Sequence, residues 1–264
     1  MNETLRNIIL WIFSERAREI KQSLSQRLTS IKNAPIFCMR YIRASLTWKG
    51  KVHRLSSSAE GLKLHLGCGE HNHPGMLNCE YRATKAADVV MDCGNLSRFK
   101  DKSASIIFSH AFFEHLYKEQ QMILLKDIFR VLKDDGMLIF MGIPDFQVIA
   151  EYYINQRQGI KRIGDTFDLY HVYRYTHGDP EIAPAYWLQQ LHKSLFDKTY
   201  IENLLFKAGF KTFVIFNYCY PDEDIPLNLG FIASKQDKMI KLKDDLLPFS
   251  EYFANIEEIM PWSK

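Results

Sequence analysis

Acidic and histidine side chains follow several short apolar runs of this sequence. Glu80 ends the run 76–80, Asp92 follows 88–91, His110 closes the run 104–109 together with Ser109, and Asp145 follows 137–143. Carboxylates accept hydrogen bonds from hydroxyl and amine groups, and histidine exchanges protons near neutral pH. Because the carboxyl ends of parallel strands meet at one edge of a sheet, we expect these side chains to gather around one ligand.

A glycine-containing loop follows the first apolar run, Leu62–Leu66, as Gly67-Cys68-Gly69-Glu70. Glycine lets the backbone turn tightly and lets a ligand approach it closely. The dinucleotide fingerprint requires a third glycine at position 72, where this chain has Asn72. The loop therefore predicts a nucleotide-type site and disfavours NAD.

Alternating strand and helix patterns predict a mostly parallel α/β sheet with helices on both faces. The predicted strands are 62–66, 76–80, 88–91, 104–109, 137–143, 211–218 and 229–234, the last two as an antiparallel hairpin at the edge. Helices are predicted at 119–133, ending at Asp134-Asp135-Gly136, and from the N-cap Asp197 to Ala208. These elements position the candidate residues at strand ends.

Four segments in this order resemble the class I (Rossmann-like) S-adenosylmethionine-dependent methyltransferases over about residues 62–235. They are LKLHLGCGEHNHPGMLNCEY, ADVVMDC, ASIIFSHAFFEHL and LLKDIFRVLKDDGMLIFMGIPD. The start of the first and the histidine-bearing end of the third are similar to a type-11-like branch found beside polysaccharide and lipid-sugar biosynthesis. The resemblance implies a seven-stranded, doubly wound sheet of order 3-2-1-4-5-7-6, with S-adenosylmethionine as cofactor and S-adenosylhomocysteine as product.

A site for that cofactor needs a glycine loop, an acceptor for the ribose hydroxyls and a polar group for the adenine amine. These roles fall on Gly67–Gly69, Glu80 and Asp92. His65 stands where many relatives have an acidic or amide residue, so Glu70 is an alternative contact for the methionine amine. The predicted cofactor-binding residues are His65, Gly67, Cys68, Gly69, Glu70, Glu80, Tyr81, Asp92, Cys93, Ser109 and His110.

Glu80 lies 11 positions after Gly69, too near for the full helix that separates loop from acidic residue in dinucleotide sites, where the spacing is about 20. The intervening His71–Gly75 favours a loop or a single turn. The resembled branch has the same short connector.

Two histidines are candidates for the base that accepts a proton from an acceptor hydroxyl. If a helix begins near His110, Glu114 lies one turn away and orients its imidazole. His192 is the second candidate, in His192-Lys193-Ser194-Leu195-Phe196-Asp197, which resembles a segment that faces the pocket in the family. The predicted catalytic residues are His110, His192 and Glu114.

An aromatic insert at 146–192 interrupts the predicted sheet elements and is the natural lid over a pocket. The candidate substrate-binding residues are Asp145, which directly precedes the insert, and three residues within it, His171, Tyr175 and His177.

Neither a metal site nor a nucleic-acid site is predicted. Cys68, His71, His73 and Cys79 do not have a standard zinc spacing, and His110 to His115 is not a zincin motif. The N-P-P-[YF] motif of base-amine methylation is absent after the fourth predicted strand, where Ser109-His110-Ala111-Phe112 stands, which disfavours nucleic acid as a substrate.

Charge divides the 264-residue chain unevenly. Residues 1–54 contain 11 Lys and Arg against three Asp and Glu, whereas the remainder contains 23 against 28, within a total net charge of +3. We predict a basic amphipathic helical arm and linker at 1–58, a methyltransferase domain at 59–235 and a helical tail at 236–264. The arm is expected to pack on the domain, with a homodimer, a membrane surface or a glycosyltransferase as alternative partners.

Five unpaired cysteines, no secretory signal and no apolar run of about 18–20 residues favour a cytoplasmic protein, with peripheral membrane contact left open. The function expected is methyl transfer to a small-molecule or glycan acceptor, at oxygen. The alternatives are an NAD(P)-linked Rossmann sugar-modifying enzyme and a non-catalytic donor-binding or docking subunit of a glycan-assembly complex.

Overall fold

The computed structural model describes residues 35–36, 38–40, 42–43, 50–52, 61–156, 158–160, 164–178 and 190–261. The chain divides into two units, Met1–Arg43 and Ala44–Lys264. In the first unit the described residues are helical. Most of the predicted arm, its serine linker and the aromatic residues Tyr186 and Trp187 of the insert lie outside the described residues.

The described part of the second unit contains ten strands. They are β1 (Leu62–Leu66), β2 (Leu77–Glu80), β3 (Val89–Val90), β4 (Ala104–His110), β5 (Leu132–Pro144), β6 (Gln158–Ile160), β7 (Gly164–Thr166), β8 (Thr212–Tyr218), β9 (Asn228–Ser234) and β10 (Met260–Pro261). Strands β6 and β7 form a separate antiparallel pair, and the other eight form one sheet of order β10-β8-β9-β5-β4-β1-β2-β3.

The predicted sheet order is confirmed. Strands β1 to β5 are parallel to one another, whereas β9 lies antiparallel between β5 and β8. Without the small β6–β7 pair and β10, the order reads 3-2-1-4-5-7-6. Strand β10 adds an eighth member, because two residues near the chain end pair with Phe216 and Asn217 of β8 and cover the outer edge of the predicted hairpin.

Among the described residues, five α-helices accompany the sheet. They are α1 (Lys118–Val131), α2 (Phe146–Ile154), α3 (Leu169–His177), α4 (Lys198–Ala208) and α5 (Leu242–Leu246). Helix α1 ends before the predicted stop, because backbone amides of Lys102 and Ser103 donate to the carbonyls of Arg130 and Val131 and the chain becomes extended at Leu132. Helix α4 begins at Asp197, whose carboxylate accepts from the Tyr200 amide at 2.6 Å, as the sequence predicts.

Two apolar clusters cover the two faces of the sheet, and successive residues of one strand point into different clusters. Ile107 belongs to the larger cluster with α1 and α4, whereas Phe108 belongs to the second. The C-terminal segment completes the second cluster with Phe249, Tyr252 and other apolar residues. This segment consists of α5, short 3₁₀ turns and β10 rather than one helix, because Pro248 and the non-helical Phe249 interrupt it.

No helix among the described residues is long and apolar enough to cross a bilayer.

Candidate active site

A cleft of about 600 Å³ opens at the carboxyl ends of the central parallel strands. Its volume is within the range of about 300–1,000 Å³ that is typical of ligand sites. Nine of the predicted cofactor-binding residues line it: His65, Gly67, Cys68, Gly69, Glu80, Tyr81, Asp92, Cys93 and His110. Glu70 is exposed and Ser109 is buried, and neither is among the lining residues. The Ser109 hydroxyl donates to the Leu66 carbonyl at 2.8 Å and joins β4 to β1.

The two glycines of the loop have positive φ angles, +66° at Gly67 and +56° at Gly69. A Cβ at Gly67 would lie 2.8 Å from the Cβ of Phe112, so this glycine permits close packing within the protein. A Cβ at Gly69 would meet no atom within 4 Å. Since Gly69 also lines the cleft, its bare backbone faces space that a ligand can fill.

Glu80 ends β2 and is 8% exposed. Its Oε2 accepts from the Gly69 amide at 2.9 Å, and its Oε1 accepts from the Arg82 amide at 3.1 Å. Oε1 also accepts from Arg82 Nε at 3.4 Å, whereas Oε2 keeps a lone pair for another donor. This carboxylate therefore braces the loop, and its Oε2 can accept a ribose hydroxyl of a bound cofactor. The connector His71–Met76 is a loop without a helix, as its composition predicts.

Asp92 follows β3 and presents an exposed carboxylate to the same cleft. Its Oδ1 accepts from the Gly94 amide at 2.9 Å, which fixes the side chain in a tight turn. The neighbouring Cys93 is buried, and burial raises the pKa of its thiol well above the ordinary value. Asp92 can thus accept from an exocyclic amine, while Cys93 supplies an uncharged wall.

His65 is a buried imidazole in β1 that lines the cleft. Its Nδ1 is 3.1 Å from Asn78 Oδ1, and that oxygen also accepts from the His73 amide at 2.9 Å, which identifies it as the acceptor end of the amide. Nδ1 therefore carries the proton and Nε2 has the lone pair. Burial lowers the pKa of His65 to about 4, so the ring is neutral at pH 7.

His110 ends β4 and lines the cleft with its ring beside those of Tyr220 and Tyr252, at 5.3 and 4.5 Å between centroids. Its Nε2 is buried and has no hydrogen-bond partner among the residues that the structure describes. Burial lowers its pKa to about 3, so the imidazole is neutral. His110 is thus a hydrogen-bond acceptor placed against an aromatic wall.

The predicted pairing of His110 with Glu114 does not form, because no helix begins at His110. Ala111 has φ +52°, and a 3₁₀ turn at Phe113–His115 follows it. Glu114 instead lies 3.7 Å from His115, measured from Oε1 to Nε2. Complete burial raises the pKa of Glu114 to about 8. Glu114 therefore does not orient the imidazole of His110 and belongs instead to a second cluster of side chains.

That second cluster contains Glu114, His115 and His192, which offer one ligand atom each within 4.8 Å of one another. The His192 Nδ1 is 2.8 Å from the Tyr175 carbonyl, and burial lowers the pKa of this imidazole below its ordinary value. His192 and Glu114 are not among the residues lining the cleft, whereas His115 is. The sequence did not predict this cluster, since His192 is 77 positions after His115.

The four predicted substrate-binding residues are not among those lining the cleft. Asp145 is buried, with its pKa raised by burial, and its carboxylate caps α2 at Gln147 and accepts from Asn217 Nδ2 at 2.9 Å. The other three have partners elsewhere: His171 with the Asp168 carboxylate at 2.8 Å, Tyr175 with Glu223 at 2.8 Å, and His177 with the Thr176 hydroxyl at 2.8 Å.

Several lining residues were missed, among them Phe112, Gln190, Lys193, Tyr220 and Tyr252. Tyr252 belongs to the C-terminal segment, in which the sequence indicated no chemistry. An aromatic residue in an amphipathic tail gives no signal that separates packing from cleft lining. Phe112 is different, since it comes two residues after His110 at the predicted strand end.

Comparison with known proteins gives a match to a methyltransferase domain over residues 64–140. No curated protein matches the chain. The fold is similar to S-adenosylmethionine-dependent methyltransferases of Thermotoga maritima (14% identity, 79% of this chain and 97% of that chain, TM-score 0.44) and Methanosarcina mazei (14%, 71% and 98%, 0.43). It is also similar to the 1,6-didemethyltoxoflavin-N1-methyltransferase of Burkholderia thailandensis, solved with 1,6-didemethyltoxoflavin and S-adenosylhomocysteine (13%, 84% and 90%, 0.42).

Residues 64–140 thus match a methyltransferase domain, and the sheet order is the one that the resemblance to class I S-adenosylmethionine-dependent methyltransferases implies, with S-adenosylmethionine as the cofactor. The matched segment runs from β1 into β5 and contains both the glycine loop and Glu80. The bare Gly69, the cleft-facing carboxylates and the neutral His65 fit such a cofactor, which carries ribose hydroxyls, an adenine amine and an ammonium group.

Proposed function

We propose that this cleft transfers a methyl group from S-adenosylmethionine to an oxygen of a small-molecule or glycan acceptor. The observation that carries the proposal is the presence, in one cleft, of a carboxylate-braced glycine loop and a neutral, unprotonated imidazole at His110. The similarity of the sequence around Ser109–His115 to the polysaccharide-associated branch supports a glycan as the acceptor. The division into an arm at 1–58, a domain at 59–235 and a tail at 236–264 is part of the same proposal.

The chain's own residues divide the binding work along the cleft. Glu80 accepts from a ribose hydroxyl, Asp92 accepts from the adenine amine, and Gly69 leaves room for the ligand at the loop. The Nε2 lone pair of His65 accepts from the methionine ammonium, in place of the acidic or amide side chain of many relatives. A neutral acceptor holds this ammonium less strongly than a carboxylate does, because the Coulomb attraction is absent.

Bound S-adenosylmethionine supplies an electrophilic methyl group on a sulfonium. His110 then orients an acceptor hydroxyl by taking its hydrogen bond at the unprotonated ring nitrogen and receives the proton as the oxygen is methylated. A general base contributes roughly 10²–10⁴-fold to the rate, most when its pKa is near the working pH. Burial depresses the pKa of His110, which keeps the imidazole unprotonated at pH 7 but makes it a weak base, so its contribution falls at the low end of that range and the proton passes on to solvent. His192, the other candidate, is held at the Tyr175 carbonyl and is not among the lining residues.

Calorimetric titration with S-adenosylhomocysteine tests the cofactor assignment. We expect wild type and the exposed-helix control Glu151→Ala to bind alike, whereas Glu80→Gln, which keeps the side-chain shape and removes the charge, binds at least about tenfold more weakly. Equal affinity in wild type and Glu80→Gln would contradict the role of Glu80. Absence of binding below millimolar concentration in the wild type would contradict the proposed function itself.

Activity toward sugar and glycan hydroxyls, read by methyl incorporation, tests the base. His110→Ala should lower kcat by roughly 10²–10⁴-fold and leave the affinity for S-adenosylhomocysteine within about threefold, since only the acceptor side of the cleft changes. His192→Ala should retain more of the activity. A larger decrease of kcat in His192→Ala than in His110→Ala would reject His110 as the base.

A further inference from the structure

Glu114, His115 and His192 converge from two distant parts of the chain. Glu114 and His115 belong to the 3₁₀ turn after β4, and His192 belongs to the segment that leads to α4. A backbone hydrogen bond from Lys193 N to Glu114 O, 2.9 Å long, ties the two segments together. The positions of the three side chains are therefore set by a backbone contact between the two segments, and not by a contact between surface side chains alone.

The backbone determines which ring nitrogens of the two histidines carry protons. His115 Nδ1 is 3.2 Å from the Leu191 carbonyl, and His192 Nδ1 is 2.8 Å from the Tyr175 carbonyl. A carbonyl oxygen only accepts, so both Nδ1 atoms are donors and both Nε2 atoms of the neutral rings have lone pairs. Metal-binding histidines have this arrangement, in which the outer nitrogen is anchored on a carbonyl and the inner one is free to ligate.

Glu114 supplies the third ligand. It is 2% exposed, and its Oε2 has no hydrogen-bond partner among the described residues. Its Oε1 is 3.7 Å from His115 Nε2, which is too long for a hydrogen bond. A buried carboxylate without a partner is costly, and the lone pairs around it do not relieve that cost. A proton on Glu114 relieves that cost, and so does a cation bound between the three groups.

We propose that Glu114, His115 and His192 bind one first-row divalent cation, with Zn²⁺ as the ion tested. Two imidazoles and one carboxylate are a donor set that zinc and related ions accept. With bonds of about 2.0–2.2 Å, ligand atoms of a tetrahedral site lie about 3.4 Å apart. The pair Glu114–His115 is near that spacing, and the ligand atoms of all three residues lie within 4.8 Å of one another.

Three protein ligands leave a position for a further ligand. Because His115 also lines the cleft, the ion lies next to the space where an acceptor binds. This site is separate from the Cys68, His71, His73 and Cys79 cluster, where the sequence predicts no metal. The proposal concerns ion binding alone and stands independently of the proposed methyl transfer.

The test uses the full chain, stripped with a chelator and titrated with Zn²⁺ in competition with a chromophoric chelator. We expect one equivalent of tightly bound zinc in wild type, and an affinity at least roughly 100-fold lower in Glu114→Gln and in His192→Ala. His71→Ala is the matched control, since it removes a histidine from the Cys/His cluster at the loop, and it should bind zinc as the wild type does. Binding of S-adenosylhomocysteine by each variant shows that the fold is intact.

Titration of the wild type with Co²⁺ gives a second readout that needs no variant. Intense visible absorption, displaced by one equivalent of Zn²⁺, is expected for a four-coordinate site with nitrogen and oxygen ligands. Absence of stoichiometric zinc binding in wild type would overturn the proposal. Unchanged zinc binding in Glu114→Gln would overturn it as well, because Glu114 of the wild type would then be neutralised by a proton and not by the metal ion. Zinc binding without binding of S-adenosylhomocysteine would keep the metal site and reject the proposed function.

Discussion

Replacing each loop glycine by alanine separates packing from ligand approach. Both Gly67 and Gly69 have positive φ, so a Cβ costs each variant about 1–2 kcal/mol of backbone energy. Only at Gly67 does the new Cβ also meet protein atoms, 2.8 and 2.9 Å from Cβ and Cγ of Phe112. Overpacking of this kind costs a further ~1–3 kcal/mol. Gly67→Ala is therefore expected to be the less stable variant.

Affinity for the cofactor should follow the opposite order from stability. At Gly69 the Cβ would project into open space, and this residue lines the cleft. A methyl group placed where the ligand approaches the backbone should weaken S-adenosylhomocysteine binding by at least about tenfold, which corresponds to ~1.4 kcal/mol. Gly69→Ala should therefore bind S-adenosylhomocysteine more weakly than Gly67→Ala, although it is the more stable of the two variants.

Thermal unfolding and calorimetric titration of the two variants measure both quantities. The melting temperature of Gly67→Ala should lie below that of Gly69→Ala by roughly 2–12 °C, from ~1–3 kcal/mol at about 2–4 °C for each kcal/mol. Each variant is the control for the other, because the two share the backbone penalty. If Gly69→Ala binds S-adenosylhomocysteine within twofold of wild type, the ligand does not approach this backbone and the assignment of the loop is refuted.

Three further outcomes are expected. Asp145→Ala should lower stability by about 2–4 kcal/mol, because a helix cap is lost and Asn217 loses its 2.9 Å hydrogen bond, while S-adenosylhomocysteine affinity, measured by calorimetry, stays unchanged. Tyr175→Phe removes the hydrogen bond to Glu223 and should cost about 1–3 kcal/mol in chemical denaturation without raising the KM for any acceptor. His65 has a folded-state pKa of about 4, below its unfolded value, so its contribution to stability is present above pH 6.5 and is lost as the pH falls towards 4. Between pH 7 and pH 5 the wild type should lose up to about 2 kcal/mol more than His65→Gln in urea unfolding, and equal losses would contradict the burial argument.

The sheet was predictable from the sequence because its strands are short apolar runs ended by glycine or polar residues. Residues at the ends of β1 to β4 were predictable for the same reason, since a parallel sheet brings its carboxyl ends together. Gly69, Glu80 and Asp92 reach the cleft on that basis alone. The sequence pattern thus predicts the cofactor side of the site, whose residues are local to strand ends.

The acceptor side was less predictable because its residues come from distant segments. Tyr252 reaches His110 only because the C-terminal segment packs on the second face of the sheet. Asp145 was expected to bind substrate from its place after β5, yet the same place makes it the N-cap of α2. A carboxylate at a strand-to-helix junction serves a cap as well as a ligand, and only the direction of the following backbone distinguishes the two.

The kink at Ala111 explains why the predicted His110–Glu114 pair becomes two separate sites. With φ +52° and its amide bonded to the Met141 carbonyl at 3.0 Å, Ala111 turns the chain away from the helix that would have placed the two side chains on one face. Phe112 then packs against Gly67, so the end of β4 and the cofactor loop are mechanically joined. His110 stays in the cleft, and Glu114 is buried beside His115. Both environments are consequences of this single turn. Within the described part of the chain His110 has no carboxylate partner, which suits a base, and Glu114 faces the lone pairs of two imidazoles, which suits a cation.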